Sequence, residues 1–588
     1  MAAKPNQPDV SPDQVTPDGP PDEPAGSPGA PGGSPDELAR LRARAQAWLD
    51  DDPDPATREE LRGVLDRLPA SAAELADRFA GPLTFGTAGL RGPLRAGPNG
   101  MNLAVVTAAA AGLVGWLAAR AASGPLVIGY DARHGSKEFA ERTARVATGA
   151  GRPALLLPRP LPTPVLAYAV RALGAVAGVM VTASHNPPQD NGYKVYLGAA
   201  TGGPLGAGAQ IVPPVDAEIE AAIRAVGSLA TVPLGAPGDV LGDDVVAGYV
   251  RVTAGVIPPA GPRGLTVAYT PLHGVGAAVL TSVFARAGFP VPGIVAEQAE
   301  PDPNFPTVSF PNPEEPGATD RLLALAREVG ADLALANDPD ADRCAVAIPD
   351  RVRGWRMLHG DELGVLLADH LIRRGRTGLY ASTIVSSSLL RALCEARGVP
   401  YGETLTGFKW IVRATAESGD AELVYGYEEA LGYCVAPDQV RDKDGISAAL
   451  TVAELAAELK AQGRTVADRL DELAGEFGVH LTDQLSVRVD DLREIENAMT
   501  YIRSRTPATL LDEPVRSVRD LTPAADVLIL RTDTARVVVR PSGTEPKLKA
   551  YLEVVEPVVD GDVPAARERA AASVRALRTE TAAALGIW

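Results

Sequence analysis

The stretch Ala177-Gly-Val-Met-Val-Thr-Ala-Ser-His-Asn-Pro187 joins a short apolar run directly to a polar loop. Such a run is typical of a strand buried on both faces, and the loop after it carries Ser184 beside His185. Three further runs end in the same way: Leu126-Val-Ile-Gly-Tyr before Asp131-Ala-Arg-His, Leu265-Thr-Val-Ala-Tyr before Thr270-Pro-Leu-His-Gly, and Leu333-Ala-Leu-Ala before Asn337-Asp-Pro-Asp-Ala-Asp-Arg. Ala-rich helical stretches separate the runs, and this alternation predicts parallel α/β sheets. Ligands of such sheets bind at the carboxyl ends of the strands, where these loops lie.

The rest of the chain predicts several domains. Its 588 residues exceed what one hydrophobic core usually organises. Helices are expected at residues 36–48, and a second amphipathic stretch covers residues 56–79. The units near residues 126, 265 and 378 are similar enough to suggest one repeated strand-loop-helix element. After Gly478, alternating runs such as Leu485-Ser-Val-Arg-Val predict antiparallel strands, and a last helix is expected at residues 565–584. The sequence therefore predicts α/β domains followed by a smaller α+β domain.

The amino-acid composition indicates which partners and which cellular compartment to expect. Acidic residues outnumber basic ones by 74 to 56, which argues against nucleic acid or an anionic membrane as the main partner. Three scattered cysteines do not suggest a disulfide framework or a zinc cluster, so a reducing cytoplasm is expected. The N-terminal residues lack the basic region and apolar run that are typical of a signal peptide, and the Pro-rich residues 1–35 predict a disordered tail. The uncharged run Leu103 to Ala119 is slightly short for a membrane span, and its Ala and Gly content favours a buried helix.

The serine loop at residues 182–188 is the first candidate for chemistry. A serine on a tight loop after a buried strand is exposed and rigidly aimed, His185 is adjacent, and Lys194 follows closely enough to return to the same site. A Pro-terminated turn with Ser and Asn capping the backbone is the plainer alternative. The loop lacks a G-x-S-x-G elbow, so a serine hydrolase is poorly supported.

Asp338, Asp340 and Asp342 place three carboxylates in one short loop, directly before Arg343. Without a cation, carboxylates so close together repel one another. Oxygen-only ligands with room for a phosphate oxygen suit Mg²⁺, and a guanidinium suits a phosphate or an acidic neighbour. A solvated acidic turn is the alternative. The spaced Gly and distant Glu of an EF-hand are missing.

Three further loops carry polar groups that are compatible with either a functional or a structural role. Arg540-Pro-Ser-Gly-Thr544 offers a guanidinium, hydroxyls and backbone N–H groups that together suit an anion. Lys409, flanked by Phe408 and Trp410, is an acid/base candidate if it is desolvated, and otherwise a lysine at a core edge. Paired carboxylates at Glu428 and Glu429 suit sugar hydroxyls, although a surface or capping role is equally compatible. Together the five loops predict phosphoryl transfer on a sugar, in which metal, cations and positioning do most of the catalysis.

From about Phe79 to Tyr551, the sequence resembles the α-D-phosphohexomutases, the phosphoglucomutase and phosphomannomutase superfamily, with each family motif present and in order. The resemblance implies four domains around a central cleft: three similar mixed α/β domains and a smaller C-terminal α+β domain. We predict them at residues 36–225 with the phosphoserine loop, 226–349 with the magnesium loop, 350–477 with the sugar-binding loop and 478–588 with the phosphate-binding loop.

The resemblance also implies roles for individual residues. Ser184 matches the phosphoryl carrier, and its oxygen completes a magnesium site with Asp338, Asp340 and Asp342. The implied catalytic residues are Ser184, Lys409, His185 and Arg343, with the main acid/base left open between Lys409 and His185. The implied substrate-binding residues are Arg91 in Phe85-Gly-Thr-Ala-Gly-Leu-Arg, Lys194, Glu428, Arg540, Ser542, Gly543 and Thr544.

Two features bear on the substrate. The family often has Ser two residues after the sugar-binding Glu, whereas this chain has Ala430. The segments Glu428-Glu-Ala-Leu-Gly-Tyr and Asp442-Lys-Asp-Gly resemble the subgroup of the second human-type phosphoglucomutases, some of which act on phosphopentoses.

The sequence therefore predicts a Mg²⁺-dependent isomerase that interconverts hexose 1-phosphate and hexose 6-phosphate, of glucose or mannose, through a sugar 1,6-bisphosphate. The alternatives are a phosphopentomutase or a glucose 1,6-bisphosphate synthase, and more remotely a dehalogenase-type phosphatase or a non-catalytic sugar-phosphate binder. A cytoplasmic monomer or weak dimer is expected, with no nucleic-acid or membrane partner.

Overall fold

The structure, a computed structural model, describes residues 35–83, 89–350, 354–415, 420–489, 491–542 and 547–586. The predicted disordered tail at residues 1–35 lies outside these ranges except for its last residue. Three mixed sheets of six, five and four strands are followed by an antiparallel five-stranded sheet and a small hairpin. The predicted fold class, α/β domains with a C-terminal α+β domain, is confirmed.

Three short helices precede the first sheet: α1 (Pro35–Asp51), α2 (Pro55–Asp66) and α3 (Ala72–Arg78). The amphipathic stretch at residues 56–79 is thus two helices with a turn between them. The Asp54 side chain caps α2 by accepting a hydrogen bond from the backbone N–H of Ala56. Leu49, Leu61 and Leu75 join the three helices in a small core of their own.

The first domain holds the six-stranded sheet, in the order β1-β5-β4-β2-β3-β6. Its elements are β1 (Leu90–Pro93), α4 (Leu103–Ala119), β2 (Leu126–Tyr130), α5 (Ser136–Gly149), β3 (Ala154–Leu156), α6 (Thr163–Ala172), β4 (Ala177–Val181), β5 (Asp190–Leu197), α7 (Ala199–Gly206), α8 (Val215–Arg224), a 3₁₀ turn (Leu229–Thr231) and β6 (Asp239–Val240). Helix α4 is the predicted apolar helix, and most of its residues are buried inside this domain. Across the ranges that the structure covers, no helix has both the length and the apolar character needed to span a membrane.

The second domain holds a five-stranded sheet in the order β11-β10-β9-β7-β8. Its elements are α9 (Asp244–Ala254), β7 (Val267–Thr270), α10 (Ala277–Arg286), β8 (Gly293–Ile294), a 3₁₀ turn (Ala296–Gln298), α11 (Asp320–Glu328), β9 (Leu333–Ala336), β10 (Ala345–Asp350) and β11 (Gly354–Met357). The edge strands β6 and β11 pair with β3 and β10, so the first two sheets extend beyond the predicted boundaries at residues 225 and 349. The remaining boundaries stay predictions.

The third domain holds a four-stranded sheet in the order β13-β12-β14-β15. Its elements are α12 (Gly360–Arg373), β12 (Leu379–Thr383), α13 (Leu389–Arg397), β13 (Tyr401–Thr404), α14 (Phe408–Ile411), β14 (Leu423–Glu428), β15 (Gly432–Cys434), α15 (Gly445–Ala461) and α16 (Val466–Phe477). Helix α15 is buried along most of its length because one hydrophobic core runs through the first three domains.

The fourth domain is an antiparallel sheet in the order β16-β22-β21-β20-β19 with helices against it. Its elements are β16 (Val479–Arg488), α17 (Leu492–Ser504), β17 (Thr509–Leu510), β18 (Glu513–Pro514), β19 (Ser517–Asp520), β20 (Leu528–Arg531), β21 (Ala535–Pro541), β22 (Lys547–Glu556) and α18 (Val563–Ala584). The predicted antiparallel strands and terminal helix are confirmed.

The three α/β domains share a core of four strands with the same topology. Strands β2, β7 and β12 each lie between two parallel neighbours, which agrees with the repeated element predicted near residues 126, 265 and 378. One neighbour in each sheet, β4, β9 or β14, then turns back into an antiparallel partner, β5, β10 or β15. The turns of the first two hairpins carry Ser184 and the Asp triplet, and Glu428 is the last residue of β14, directly before the third turn. The repeat therefore supplies one polar loop per domain at an equivalent position.

Candidate active site

Ser184 has a strained backbone conformation at the turn between β4 and β5, and hydrogen bonds hold it in place. Its φ of +52° lies in the left-handed region that non-glycine residues seldom adopt. The Ser184 N–H donates to Thr182 Oγ1 at 2.9 Å, and Arg133 Nη2 donates to the Ser184 carbonyl at 2.6 Å. Strain of this kind persists only where the surroundings enforce it, and it is typical of functional sites.

The Ser184 hydroxyl links the first domain to the Asp loop of the second. Ser184 Oγ donates to Asp338 Oδ2 at 2.6 Å, and His185 Nδ1 lies 3.1 Å from Ser184 Oγ. Burial is the main cause that lowers the pKa of His185, with Arg343 and Arg91 acting in the same direction. A neutral imidazole at physiological pH is therefore positioned to accept a proton near Ser184.

The Asp triplet forms a fully buried cluster of oxygens. One carboxylate oxygen from each of Asp338, Asp340 and Asp342 lies within 4.8 Å of the others. Asp340 Oδ1 and Asp342 Oδ1 are buried without a hydrogen-bond partner among the described residues. Burial, followed by the charges of Asp340 and Asp342, raises the pKa of Asp338 well above its usual value. Unpartnered carboxylate oxygens of this kind fit a bound cation, so these residues could hold a metal ion.

Two lysines from different domains converge on the triplet. Lys194 Nζ lies 2.8 Å from Asp340 Oδ2 and 3.0 Å from Asp342 Oδ2, and Lys443 Nζ lies 3.2 Å from Asp342 Oδ2. Burial alone would lower the pKa of Lys194, but the two carboxylates raise it above its usual value. Both ammonium groups therefore stay charged and hold the Asp342 carboxylate ionised.

Lys443 is the site residue that sequence reasoning missed. From the sequence, the segment Asp442-Lys-Asp-Gly indicates only a resemblance to a subgroup. The available signal is an aspartate directly before a helical stretch, which predicts a helix cap. Asp444 is that cap, because its side chain accepts hydrogen bonds from two backbone N–H groups at the start of α15. That cap fixes the start of the helix and thereby aims Lys443 at the Asp loop.

The turn after Glu428 in the third domain packs against the Asp loop of the second. The backbone of Arg343 forms a β-bridge with Gly432, and a Cβ built at Gly445 would lie 2.1 Å from the Arg343 carbonyl, so only glycine fits there. Burial is the main cause that raises the pKa of Glu428, which Lys443 and Arg343 partly offset. Glu428 therefore lies within electrostatic reach of the same cations as the triplet.

Arg91 and Arg343 complete the positive groups around Ser184. Arg91 Nη1 donates to Asn186 Oδ1 at 2.9 Å, beside the serine loop. Arg343 Nε lies 4.0 Å from oxygens of both Asp338 and Asp342, and it has no hydrogen-bond partner among the described residues. Two guanidinium groups thus lie beside the serine loop and the Asp loop.

Lys409 lies on α14, next to the third sheet, and its side chain is buried. Its ammonium is 6.0 Å from the centroid of the Trp410 ring. Burial lowers its pKa, as predicted for a lysine between aromatic residues, and the nearest influential charges are those of Asp216 and Arg413. Within the described ranges, the lysines that contact the triplet are Lys194 and Lys443 rather than Lys409.

The predicted phosphate-binding loop of the fourth domain lies only in part within the described residues. Arg540 lies on β21 opposite Lys549, and its guanidinium lies beside the Tyr551 hydroxyl. The Ser542 N–H donates to the Lys547 carbonyl at 2.8 Å, which closes the base of the loop. The predicted residues Gly543 and Thr544 lie outside the described residues. Tyr551 lines a cavity of about 490 Å³ together with Glu314, His359 and Glu429.

Replacing Glu429 with Gln should make the protein more stable at pH 8 but not at pH 5. Burial, Glu428 and Asp361 raise the pKa of Glu429 from its usual 4.5 to about 7. Between these values the folded state binds more protons than the unfolded state, so stability falls as the pH rises and levels off above pH 7. Removing that charge should therefore raise the free energy of unfolding at pH 8 by about 1–3 kcal/mol.

Urea midpoints of the wild type and Glu429→Gln at both pH values measure this effect. The exposed Glu422 of the same domain provides the control, since Glu422→Gln should change neither midpoint. An equal gain from Glu429→Gln at pH 5 and pH 8 would show that packing rather than ionisation is responsible.

Comparison with known proteins identifies the family. Models of the phosphoglucomutase/phosphomannomutase family match alpha/beta/alpha domain I at residues 82–229, domain II at 248–351, domain III at 359–477 and the C-terminal domain at 487–568. The Haemophilus influenzae protein named "Probable phosphomannomutase" is 46% identical over 463 residues, which cover 77% of this chain and 93% of that protein. The chain therefore belongs to the phosphoglucomutase/phosphomannomutase family, as its motifs predicted.

Two further comparisons bear on substrate and fold. Mouse phosphopentomutase is 33% identical over 583 residues, which cover 89% of this chain and 92% of that protein. The solved open form of the Paramecium phosphoprotein pp63/parafusin, a phosphoglucomutase, matches with a TM-score of 0.66 at 18% identity and covers 86% of this chain and 96% of that one. The second likeness supports the four-domain fold alone.

Proposed function

We propose that this protein is a phosphohexose mutase that interconverts hexose 1-phosphate and hexose 6-phosphate of glucose or mannose. The observation that carries the proposal is the Ser184 hydroxyl, which lies 2.6 Å from Asp338 within a buried oxygen cluster suited to a metal ion. The family assignment and the relative named as a phosphomannomutase support a hexose over a pentose substrate.

In the first half-reaction, the free hydroxyl of a sugar monophosphate attacks the phosphorus of phosphorylated Ser184. The bond between phosphorus and Ser184 Oγ breaks, and a bisphosphorylated sugar forms. His185 or Lys409 accepts the proton that leaves the sugar hydroxyl, and this proton passes to the Ser184 Oγ that is released. The position of His185 Nδ1, 3.1 Å from Ser184 Oγ, supports a part for it in this proton transfer.

In the second half-reaction, the bisphosphate turns around in the cleft and Ser184 Oγ attacks its other phosphorus. The same base takes the serine proton, and the proton passes to the sugar oxygen that is released. Arg540 and the loop at residues 540–544 hold whichever phosphate is not reacting, while Glu428 binds sugar hydroxyls. Arg91 and Arg343 offset phosphate charge, and Lys194 and Lys443 balance the carboxylates.

Mg²⁺ is the ion that we propose for the Asp triplet, with Ser184 as a further ligand. When bound, it would offset negative charge on the transferring group. The all-oxygen donor set supports this choice. The free, buried state of Cys344, Cys394 and Cys434 supports a reducing compartment such as the cytoplasm. A monomer or weak dimer stays our prediction.

The test is kcat/KM of the purified protein with Mg²⁺ and a trace of glucose 1,6-bisphosphate, compared on glucose 1-phosphate, mannose 1-phosphate and ribose 1-phosphate. A hexose phosphate should be preferred by at least about tenfold, since one well-made hydroxyl contact is worth this much. Preference for ribose 1-phosphate would favour a phosphopentomutase, for which the mouse relative is the precedent. Accumulation of bisphosphate without isomerisation would favour a synthase.

A further inference from the structure

Residues 383–388, which we call the hinge loop, lie buried between the third and fourth domains. The loop begins at the last residue of β12, and Ile384 and Val385 pack against Val538 and Tyr551 of the fourth domain. It therefore joins the domain that carries the sugar loop to the domain that carries the phosphate loop.

Two buried carboxylates, one from each domain, accept hydrogen bonds across this contact between the third and fourth domains. Glu553 of the fourth domain accepts hydrogen bonds from Ser387 Oγ and the Ser388 N–H, both at 2.7 Å. Asp361 of the third domain accepts from the Ser387 N–H at 2.7 Å and from Thr482 Oγ1 of the fourth domain at 3.0 Å. Only 2% of Glu553 and 8% of Asp361 are exposed, and hydrogen bonds to buried charges are among the strong ones.

Arg536 extends the joint toward the phosphate loop. It forms an ion pair with Glu553 at 2.9 Å, and it donates to the backbone carbonyls of Ile384 and Ser386. Arg540 lies four residues further along the same strand, so it is on the same face, about 13 Å away. The hinge loop therefore fixes the strand that presents Arg540.

The other side of the hinge loop contacts the sugar loop. Ser386 Oγ donates to Glu429 Oε2 at 3.2 Å, and Thr383 Oγ1 donates to the same oxygen at 3.3 Å. Glu429 directly follows Glu428, the residue assigned to sugar hydroxyls. A continuous chain of hydrogen bonds thus runs from the sugar loop to the strand of the phosphate loop.

We propose that Glu553 is a positioning residue that sets the separation between the sugar-binding and phosphate-binding loops through the hinge loop. This inference rests on the proposed function, in which both ends of one bisphosphate must be held at once. A fixed separation keeps the bisphosphate bound while it turns around. Weakening the joint should therefore let the bisphosphate escape more often and leave Ser184 without its phosphate.

Replacing Glu553 itself would leave Arg536 buried without its ion pair, and that change endangers the fold. The double variant Ser387→Ala/Thr482→Val is the sharper test because it removes one hydrogen bond to each carboxylate and leaves both charges in place. Ser573→Ala is the matched control, since Ser573 Oγ donates at 2.8 Å to Glu556 within the fourth domain.

In the double variant, KM for hexose 1-phosphate and the amount of bisphosphate released per turnover should each rise by at least about tenfold, as expected for two lost hydrogen bonds to carboxylates. Saturating glucose 1,6-bisphosphate should restore kcat, because the chemistry at Ser184 is untouched. Hydrogen exchange of the amides at residues 384–388 should accelerate in the double variant and not in Ser573→Ala.

Unchanged bisphosphate release together with unchanged hydrogen exchange would overturn the positioning role. A kcat that saturating bisphosphate fails to restore would also contradict it, because the defect would then lie in the chemical step. Hydrogen exchange needs no substrate, so it tests the joint even if the wild type isomerises no hexose phosphate, an outcome that would refute the proposed function alone.

Discussion

Ser184→Ala is expected to lower kcat for hexose 1-phosphate by at least about 10⁴-fold, since removing a catalytic nucleophile has effects of this size. The hydroxyl that is lost lies 2.6 Å from Asp338 and 3.1 Å from His185. No neighbouring group would replace it at the turn, where the φ of +52° aims this one side chain at the Asp loop. Transfer of the phosphoryl group by way of a phosphorylated serine should therefore stop.

Two measurements separate loss of the carrier from loss of structure. Incubation with glucose 1,6-bisphosphate labelled on phosphorus should label the peptide of residues 182–188 in the wild type and leave the variant unlabelled. The exposed Ser123 of the same domain supplies the control, and Ser123→Ala should keep normal turnover and labelling. Labelling of Ser184→Ala to the wild-type level would place the phosphoryl carrier elsewhere.

Asp338→Asn is expected to lower kcat by about 10³-fold, the scale of losing one preorganised electrostatic contact in a buried site. The change removes a charge from the oxygen cluster and replaces the acceptor of the Ser184 hydroxyl. Asp340 and Asp342 remain, but their charges are shared with Lys194 and Lys443. The remaining pair should therefore hold a divalent cation weakly.

Calorimetric titration with Mn²⁺ measures this loss directly, and affinity should fall by at least about tenfold, comparable with the removal of a metal ligand or its support. Chelation should inactivate the wild type, and added Mg²⁺ should restore its activity. Asp320→Asn is the control, because Asp320 is exposed at the start of α11 in the same domain. Wild-type Mn²⁺ affinity in Asp338→Asn would exclude Asp338 as a ligand.

Much of the fold was predictable because its signals are local. The buried runs at 126–130, 177–181 and 333–336 are strands with the predicted bounds, and the run at 103–119 is the predicted buried helix. Each run carries enough apolar residues in sequence to define itself without knowledge of its neighbours. The strand expected at 265–269 begins instead at Val267, and the amphipathic stretch at 56–79 breaks into two helices.

The site was predictable only where its residues are neighbours in sequence. Ser184 with His185, and Asp338 with Asp340 and Asp342, form recognisable groups because one short loop holds each set. Lys443 carries no such signal, since its partner Asp342 belongs to another domain. Lys409 shows the converse, because its aromatic neighbours predicted a lowered pKa but not which charges would surround it.

Local patterns in the sequence specify the strands, the polar loops that follow them, and the chemistry that each loop offers. Domain packing brings a serine of the first domain to an aspartate of the second, and it places lysines of the first and third domains beside Asp342. It also brings Glu553 of the fourth domain into contact with the hinge loop. The physical reason is the range of the interactions. Hydrophobic periodicity and turn chemistry act over a few residues, whereas these contacts join groups that only the packing of whole sheets brings together.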